Sequence, residues 1–326
     1  MCGIVGYVGD RIATPMLLEG LKRLEYRGYD SAGVAIMNGE GVETRRAAGK
    51  IARLEAAIAK DPPQGTMGIA HTRWATHGPP TEKNAHPHAS QNGKIAVVHN
   101  GIIENATALK AGLEARGYVF KSDTDTEVLA HLIEVAYAGN LEAAVIEALH
   151  QCDGTYGLAV ITSDERDKIV AARKGSPLLI GVGDGEYFIA SDASAILAHT
   201  RNVVYLDDGD IAVVTRDGYR VLDFDSAIRD KPVTRIDWDL QQIERGGYPH
   251  FMLKEIFEQP TTVENTMRGR LILEEGFSKL GGLNISKEDL LKIDNIIITA
   301  CGTSWHSALI GEMMIEELCR IPVEVE

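Results

Sequence analysis

The chain opens Met1-Cys2-Gly3-Ile4-Val5-Gly6-Tyr7-Val8, a cysteine directly behind the initiator methionine and then an apolar run that reads as a β-strand over Gly3–Val8. Removal of Met1 would leave the Cys2 thiol and the free α-amine of the chain on one Cα. A cysteine thiol titrates near ~8.5 and an α-amine near ~7.7–8.0. Part of the amine is therefore unprotonated at neutral pH and can take the thiol proton, directly or through one water. That task otherwise needs a histidine. Cys2 is thus a candidate nucleophile with its own base, against the plain alternative of a small residue at position 2 with no role.

Outward from this stretch, strands are expected at 32–37, 67–70 and 95–99, and a helix whose Thr14-Pro15 start precedes Leu17, Leu21 and Leu24 at helical spacing. Residues 126–138 and 141–149 read as a helical hairpin turning at Gly139-Asn140, followed by strands at 155–162, 169–173, 178–182, 187–190 and 211–215. The pattern predicts an α+β fold over 1–223, two sheets sandwiched by helices. A polar connector over 224–249 and a second region over 250–326 come next. In the latter, helical segments are expected near 250–258 and 261–275. Further on, 295–299, the small-residue turn Ala300 to Ser304 and a helix at 308–318 make one strand-loop-helix unit of a parallel sheet. One such unit cannot cover both faces of a parallel sheet, so the expectation is a larger domain cut short at Glu326.

Apolar residues make up 44% and charged residues 25% of the 326, an ordinary globular composition. A net charge of −14 argues against a broad nucleic-acid or anionic-membrane surface. There is neither a run long enough to cross a bilayer nor a secretory signal, which would in any case remove Cys2, so a cytoplasmic protein is expected. Cys2, Cys152, Cys301 and Cys319 lie far apart and suggest no disulfide framework.

Several short stretches carry chemistry. His71-Thr72-Arg73-Trp74-Ala75-Thr76-His77-Gly78 gathers a guanidinium, an indole, hydroxyls and imidazoles in one loop after a strand. Arg73 can clamp a carboxylate there, or be a surface arginine. Asn100-Gly101 can form an oxyanion hole from a side-chain amide and a backbone N–H, or an ordinary type I′ turn. In Ser122 to Glu127 most polar groups suit a helix start, with Asp125 left to hold a substrate ammonium. His71, His77, His86, His88 and His99 lack metal-ligand spacing, so neither a metal nor another cofactor is expected. Cys301-Gly302-Thr303-Ser304 suits a phosphate at a helix N-terminus, or is a generic capped start.

With these stretches, Leu24 to Gly33, Asn84 to His88 and Lys254 to Pro260, the chain resembles the family of glutamine–fructose-6-phosphate aminotransferases. The resemblance implies a class II glutamine amidotransferase domain, a four-layer αββα N-terminal-nucleophile hydrolase sandwich, followed by the start of a sugar isomerase (SIS) domain. It implies that Cys2 is the nucleophile, with Asn100 and Gly101 as oxyanion hole. Arg27, Arg73, Thr76, His77 and Asp125 would bind L-glutamine, Trp74 would gate an ammonia channel, and Cys301, Gly302, Thr303 and Ser304 would meet the sugar phosphate. It further implies hexosamine synthesis from fructose 6-phosphate by a homodimer when full length. The family's C-terminal catalytic lysine has no counterpart in these residues, so this chain alone is expected to be a glutaminase only. The competing readings are another class II amidotransferase, disfavoured because CGTS stands where an acidic phosphoribosyl loop or an SGG-type loop is required, and a non-catalytic sugar-phosphate sensor on the same scaffold.

Overall fold

The computed structural model describes residues 2–237, 246–268, 270–272, 276–278 and 285–326. Met1, positions 238–245 of the expected connector and positions 269 and 273–275 of the second expected helical segment lie outside the described residues. The chain divides into two compact units, Met1–Phe251 and Met252–Glu326.

In chain order, the first unit comprises β1 (Gly3–Val8), α1 (Ala13–Arg23), β2 (Ser31–Met37), β3 (Val42–Ala48), α2 (Ile51–Lys60), β4 (Met67–Arg73), β5 (His88–Ala89) and β6 (Ile95–Ile103). Then come α3 (Ala106–Ala115), α4 (Asp125–Ala136), α5 (Leu141–His150), β7 (Gly154–Thr162), β8 (Glu165–Lys174), β9 (Leu179–Val182) and β10 (Tyr187–Ala190). It closes with β11 (Asn202–Tyr205), β12 (Asp210–Thr215), β13 (Gly218–Leu222) and β14 (Thr234–Arg235). The strands pair antiparallel into a sheet of order β14-β11-β9-β10-β1-β4-β2-β3 and a second of order β13-β12-β8-β7-β6-β5.

Successive side chains of a strand point to opposite faces, and here both faces are covered. On β1, Ile4 and Val8 enter the core between the sheets, whereas Val5 and Tyr7 join Leu17 and Leu21 of α1 and Leu54 and Ile58 of α2. On β6, Ala96 and Val98 meet the inter-sheet core while Ile95 and Val97 pack with Val128, Leu129, Val145 and Leu149 of α4 and α5. Three cores therefore separate four layers: helices, sheet, sheet, helices. Alanines 35, 96, 159, 171 and 212 lie in the middle core and let the sheets approach closely.

Some local expectations change. Helix α1 starts at Ala13 instead of being capped by Thr14, because the loop at 63–65, distant in sequence, meets its start: Ala13 N donates to Gly65 O at 2.8 Å and Thr14 Oγ1 to Pro63 O at 2.9 Å. The Gly139-Asn140 turn forms as expected, with Asn140 Oδ1 accepting from Ala143 N at 2.9 Å. Polar β3, half-buried throughout, has no counterpart among the expected strands.

In the second unit a single helix, α6 (Phe251–Met267), which begins at the unit boundary, replaces the first expected segment and runs through Pro260 into the second. The short pieces β15 (Leu271–Ile272), β16 (Phe277–Ser278) and α7 (Lys287–Leu290) come after it. Strands β17 (Ile296–Ile298) and β18 (Val323–Val325) then pair parallel across helix α8 (Thr303–Cys319), the strand-loop-helix unit expected from sequence. Among the described residues, no helix is long and apolar enough to cross a membrane.

Ile161 of β7 is fully buried between the two sheets. Truncation to alanine at such a site costs about 2–5 kcal/mol. Ile161→Ala is expected to lower the urea unfolding midpoint by a corresponding amount, read by circular dichroism.

Candidate active site

Strand β1 lies between β4 and β10, and its register sets Gly3 opposite Thr72 and Ile4 opposite His71. The start of β1 is thereby delivered to the end of β4, beside Arg73 and Trp74. Cys2 Sγ accepts a hydrogen bond from Trp74 N at 3.1 Å and lies 3.5 Å from Trp74 O. Burial pushes the Cys2 thiol above its ordinary value, against the opposing pull of the Trp74 N–H. A thiol held protonated in this way needs a base to become a nucleophile at neutral pH.

The carbonyl of Cys2 accepts from Arg27 Nη1 at 3.3 Å and from Asn100 Nδ2 at 3.4 Å. Arg27 is held in turn by Asp192 at 2.5 Å, which also receives the Tyr26 hydroxyl at 2.7 Å. Asn100 and Gly101 are not in a hairpin turn. They lie inside β6, opposite Gly157 and Tyr156 of β7. Gly101 has φ +127°, and a Cβ there would stand 2.1 Å from the Thr155 carbonyl oxygen, so no other residue fits.

Arg73 is buried at 3% exposure. Its Nη atoms donate to the carbonyls of His77, of Gly78 at 3.2 Å and of Pro79 at 3.3 Å, and lie 3.7 Å from Asp30. Asp30 also accepts the Ala75 N–H. The guanidinium thus gathers the 77–79 loop around itself. The Trp74 side chain is half exposed and lies against Gly28, whose added Cβ would come within 2.8 Å of the indole. Thr76 is exposed and its hydroxyl is 3.4 Å from His77 Nδ1.

Asp125 opens α4, with Oδ2 accepting the Ile103 N–H at 2.9 Å and 4.0 Å from His99 Nδ1. Together with His77, Ile103 and Thr124 it lines a cleft of about 530 Å³, within the range of small-ligand sites. Cys2, Arg73 and Asn100 do not line that cleft. A larger cleft of about 840 Å³, bordered by Glu19, Lys22, Glu55 and Tyr248, holds none of the residues picked out from sequence. Cys301 to Ser304 lie in the second unit, exposed at the start of α8, with Gly302 as N-cap at φ +61°.

Beneath the cysteine is a layer of buried histidines. His71 Nε2 is 2.9 Å from Asn100 Oδ1. His86 Nε2 is 2.7 Å from Thr126 Oγ1, which also meets His99 Nδ1 at 3.1 Å. The His71 and His86 rings lie 4.2 Å apart, and those of His86 and His88 4.8 Å. Burial lowers His71 to about 3; burial with the charge of Arg46 nearby lowers His88 to about 4; and burial, near Arg73, puts His86 well below its ordinary value. Nearby, burial would raise the Glu127 carboxyl, but His131 Nε2 at 3.7 Å and hydrogen bonds from the Ser122 hydroxyl and the Lys121 and Ser122 N–H groups outweigh it and hold it at about 2. Among the described residues no group of three or more histidine, cysteine or acidic side chains is placed to hold a metal ion.

Three contributors have no role assigned from sequence: Asp30, Asp192 and His71. Asp30 belongs to one of the family-like stretches, and His71 enters there only as a loop imidazole and a poorly spaced metal ligand. Asp192 carries no sequence signal, since only the fold brings it to Arg27.

Comparison with known proteins bears on this arrangement. Residues 71–198 match the glutamine amidotransferase domain family. The chain is 55% identical to glutamine–fructose-6-phosphate aminotransferase (isomerizing) of Chlorobaculum tepidum, over 100% of this chain and 54% of the relative. The same enzyme of Caldanaerobacter subterraneus is 52% identical, again over 100% of this chain and 54% of the relative. The chain thus spans about half the length of the curated relatives it matches. Among solved structures, the glutamine phosphoribosylpyrophosphate amidotransferase of B. subtilis is alike in fold, with a TM-score of 0.61 at 24% identity, covering 99% of this chain and 65% of that one.

The geometry carries consequences for acid stability and for position 101. The unfolded chain protonates its histidines below about pH 6.5, whereas buried His71 and His88 resist protonation down to about 3 and 4. Between these values the unfolded state binds more protons. Stability is therefore fully present above about pH 6.5 and falls as the pH drops, by about 1.4 kcal/mol per pH unit per such histidine. Urea midpoints compared at pH 7.5, 6.0 and 5.0 are expected to decline steadily, and a flat profile would contradict neutral burial. Gly101→Ala is expected to give a destabilised protein, because the new methyl collides with the Thr155 carbonyl. A thermal scan that leaves it level with the parent would count against this.

Proposed function

We propose that this chain, similar over residues 71–198 to the glutamine amidotransferase domain family and over its whole length to about half of the aminotransferase relatives, hydrolyses L-glutamine to glutamate and ammonia at Cys2. The observation that carries the proposal is that, at the start of β1, Cys2 places its sulfur against Trp74 N and its carbonyl against the side-chain amide of Asn100, 98 residues away in sequence. A raised thiol in that position calls for a proton acceptor, and the α-amine exposed by removal of Met1 stands on the same Cα.

In the reaction so read, the amine takes the thiol proton and the thiolate attacks the side-chain amide carbon of glutamine. The carbonyl π pair moves to oxygen, and the oxyanion is received by Asn100 Nδ2 and the Gly101 N–H. As the C–N bond breaks, the ammonium form of the α-amine returns its proton to the leaving nitrogen, releasing ammonia and leaving a γ-glutamyl thioester. Water, deprotonated by the same amine, then cleaves the thioester to glutamate and restores the thiol. Asp125 would hold the substrate ammonium and Arg73 its carboxylate, with Arg27, Thr76 and His77 completing the pocket. For Arg73 this requires exchanging part of its present contact with the 77–79 carbonyls. Trp74, half exposed beside the sulfur, would cover the route by which ammonia leaves.

The finer reading is that the ammonia serves to convert fructose 6-phosphate to glucosamine 6-phosphate in a cytoplasmic homodimer of full family length. The use of fructose 6-phosphate is supported by the names of relatives alike over this whole chain. Cys301 to Ser304, with exposed hydroxyls and N–H groups at the start of α8, suit a sugar phosphate.

Release of ammonia from glutamine by the purified chain is the test. Cys2→Ala is expected to lower the rate by several orders of magnitude, and diazo-oxo-norleucine to label Cys2 alone by peptide mapping. Equal activity in parent and variant would remove the proposal.

A further inference from the structure

A side-chain amide presents nearly the same outline whichever way it is turned, yet only its NH₂ end can stabilise an oxyanion. Something must therefore keep Asn100 from presenting its oxygen. The group in contact with the far end of that amide is His71, fully buried on β4, with Nε2 at 2.9 Å from Asn100 Oδ1. Burial keeps the imidazole neutral, so it carries one proton. His71 Nδ1 is buried and makes no hydrogen bond of good geometry, although the His99 backbone interacts with the ring, so the nitrogen with a well-placed acceptor is Nε2. Turning the amide over would require Nε2 to accept, moving the proton to Nδ1. A buried N–H would then be left without a well-placed acceptor, and the Asn100 oxygen would face the Cys2 carbonyl.

The ring itself is held in place. It packs against His86 at 4.2 Å. His99 Nε2 donates to the Thr155 carbonyl at 3.3 Å, so its Nδ1 accepts from Thr126 Oγ1, and Thr126 can then accept from His86 Nε2. One carbonyl of β7 thereby sets the tautomers of His99 and His86 in turn.

We infer that His71 is a positioning residue: its Nε2–H fixes Asn100 Oδ1 so that the Asn100 amide donates toward the reacting carbonyl of the substrate. This rests on the glutaminase reading given above. It predicts that removing the imidazole donor acts through Asn100 and not through the sulfur.

The experiment compares glutamine turnover by the parent chain, His71→Leu, His71→Gln, Asn100→Ala and the His71→Leu/Asn100→Ala double variant. Loss of an oxyanion donor in Asn100→Ala is expected to lower kcat about 10²–10³-fold. His71→Leu is expected to lower kcat at least about tenfold, with KM within about threefold of the parent. The double variant should be no slower than Asn100→Ala alone, because the two residues work as one unit. His71→Gln, which can offer an N–H to the same oxygen, should recover most of the loss. Alkylation of Cys2 by iodoacetamide, which builds no oxyanion, should proceed at the parent rate in every variant with Cys2 intact. Multiplied losses in the double variant, parental kcat in His71→Leu beside an impaired Asn100→Ala, or slowed alkylation in His71→Leu would each overturn the inference. If His71→Leu does not fold, His71→Met takes its place under the same criteria. Parental activity in both Cys2→Ala and Asn100→Ala would instead bring down the glutaminase reading, and this inference with it.

Discussion

The antiparallel register between Gly3–Val8 and Met67–Arg73 is the constraint on which the amino-terminal end of this protein depends. With Ile4 opposite His71, the residue before the strand has to emerge next to Arg73 and Trp74. A shift of one residue would turn every side chain of β1 to the other face. Ile4 and Val8 would leave the inter-sheet core and Val5 and Tyr7 would leave the helices, each fully or almost fully buried now. The hydrophobic free energy of two separate cores thus sets the position of one sulfur to within a hydrogen bond. The sulfur proposed as the nucleophile is joined directly to a strand buried along its whole length, which opposes the fraying to which chain ends are prone.

The polar layer under the sulfur stands in tension with those cores. Four histidines, His71, His86, His88 and His99, are almost wholly buried, and each gives up hydration that imidazole normally keeps. What offsets the cost is a set of specific acceptors and hydroxyls: Asn100, Thr126, Thr124 and the Thr155 carbonyl. The orphaned Nδ1 atoms of His71 and His86 show that the compensation is incomplete. Incompletely satisfied buried polar groups persist where their orientation is needed. Here they back the strand that carries Asn100 and Gly101, and the Thr155 carbonyl that sets the tautomers of His99 and His86 is the same one that leaves no room for a Cβ at position 101.

Much of the layout is legible in the chain itself. The bounds of β1 and β10 can be read because their apolar runs are continuous, and the turn at Gly139-Asn140 because its amide caps α5 locally. β3 escapes such a reading because its VETRRAA sequence is polar, lies at a sheet edge and buries no clean stripe. Thr14 looks like a cap because Thr-Pro commonly starts helices, yet the 63–65 loop, distant in sequence, takes that role. Asn100-Gly101 allows two conformations from local rules. Pairing with Gly157 and Tyr156 selects the extended one.

By itself, the sequence determined the kinds of chemistry at hand: a thiol directly ahead of an apolar strand, an amide next to a glycine, a guanidinium in a loop, and strands apolar enough to be covered on both faces. Those are properties of residue type and near-neighbour order, and they survive without coordinates. Which groups meet was decided only by the tertiary structure. Asp192 against Arg27, Asn100 beside Cys2, and His71 behind Asn100 join residues between 29 and 165 positions apart. Such pairs depend on strand order and register, which are fixed by the simultaneous burial of three cores and are therefore written in no single stretch of the chain.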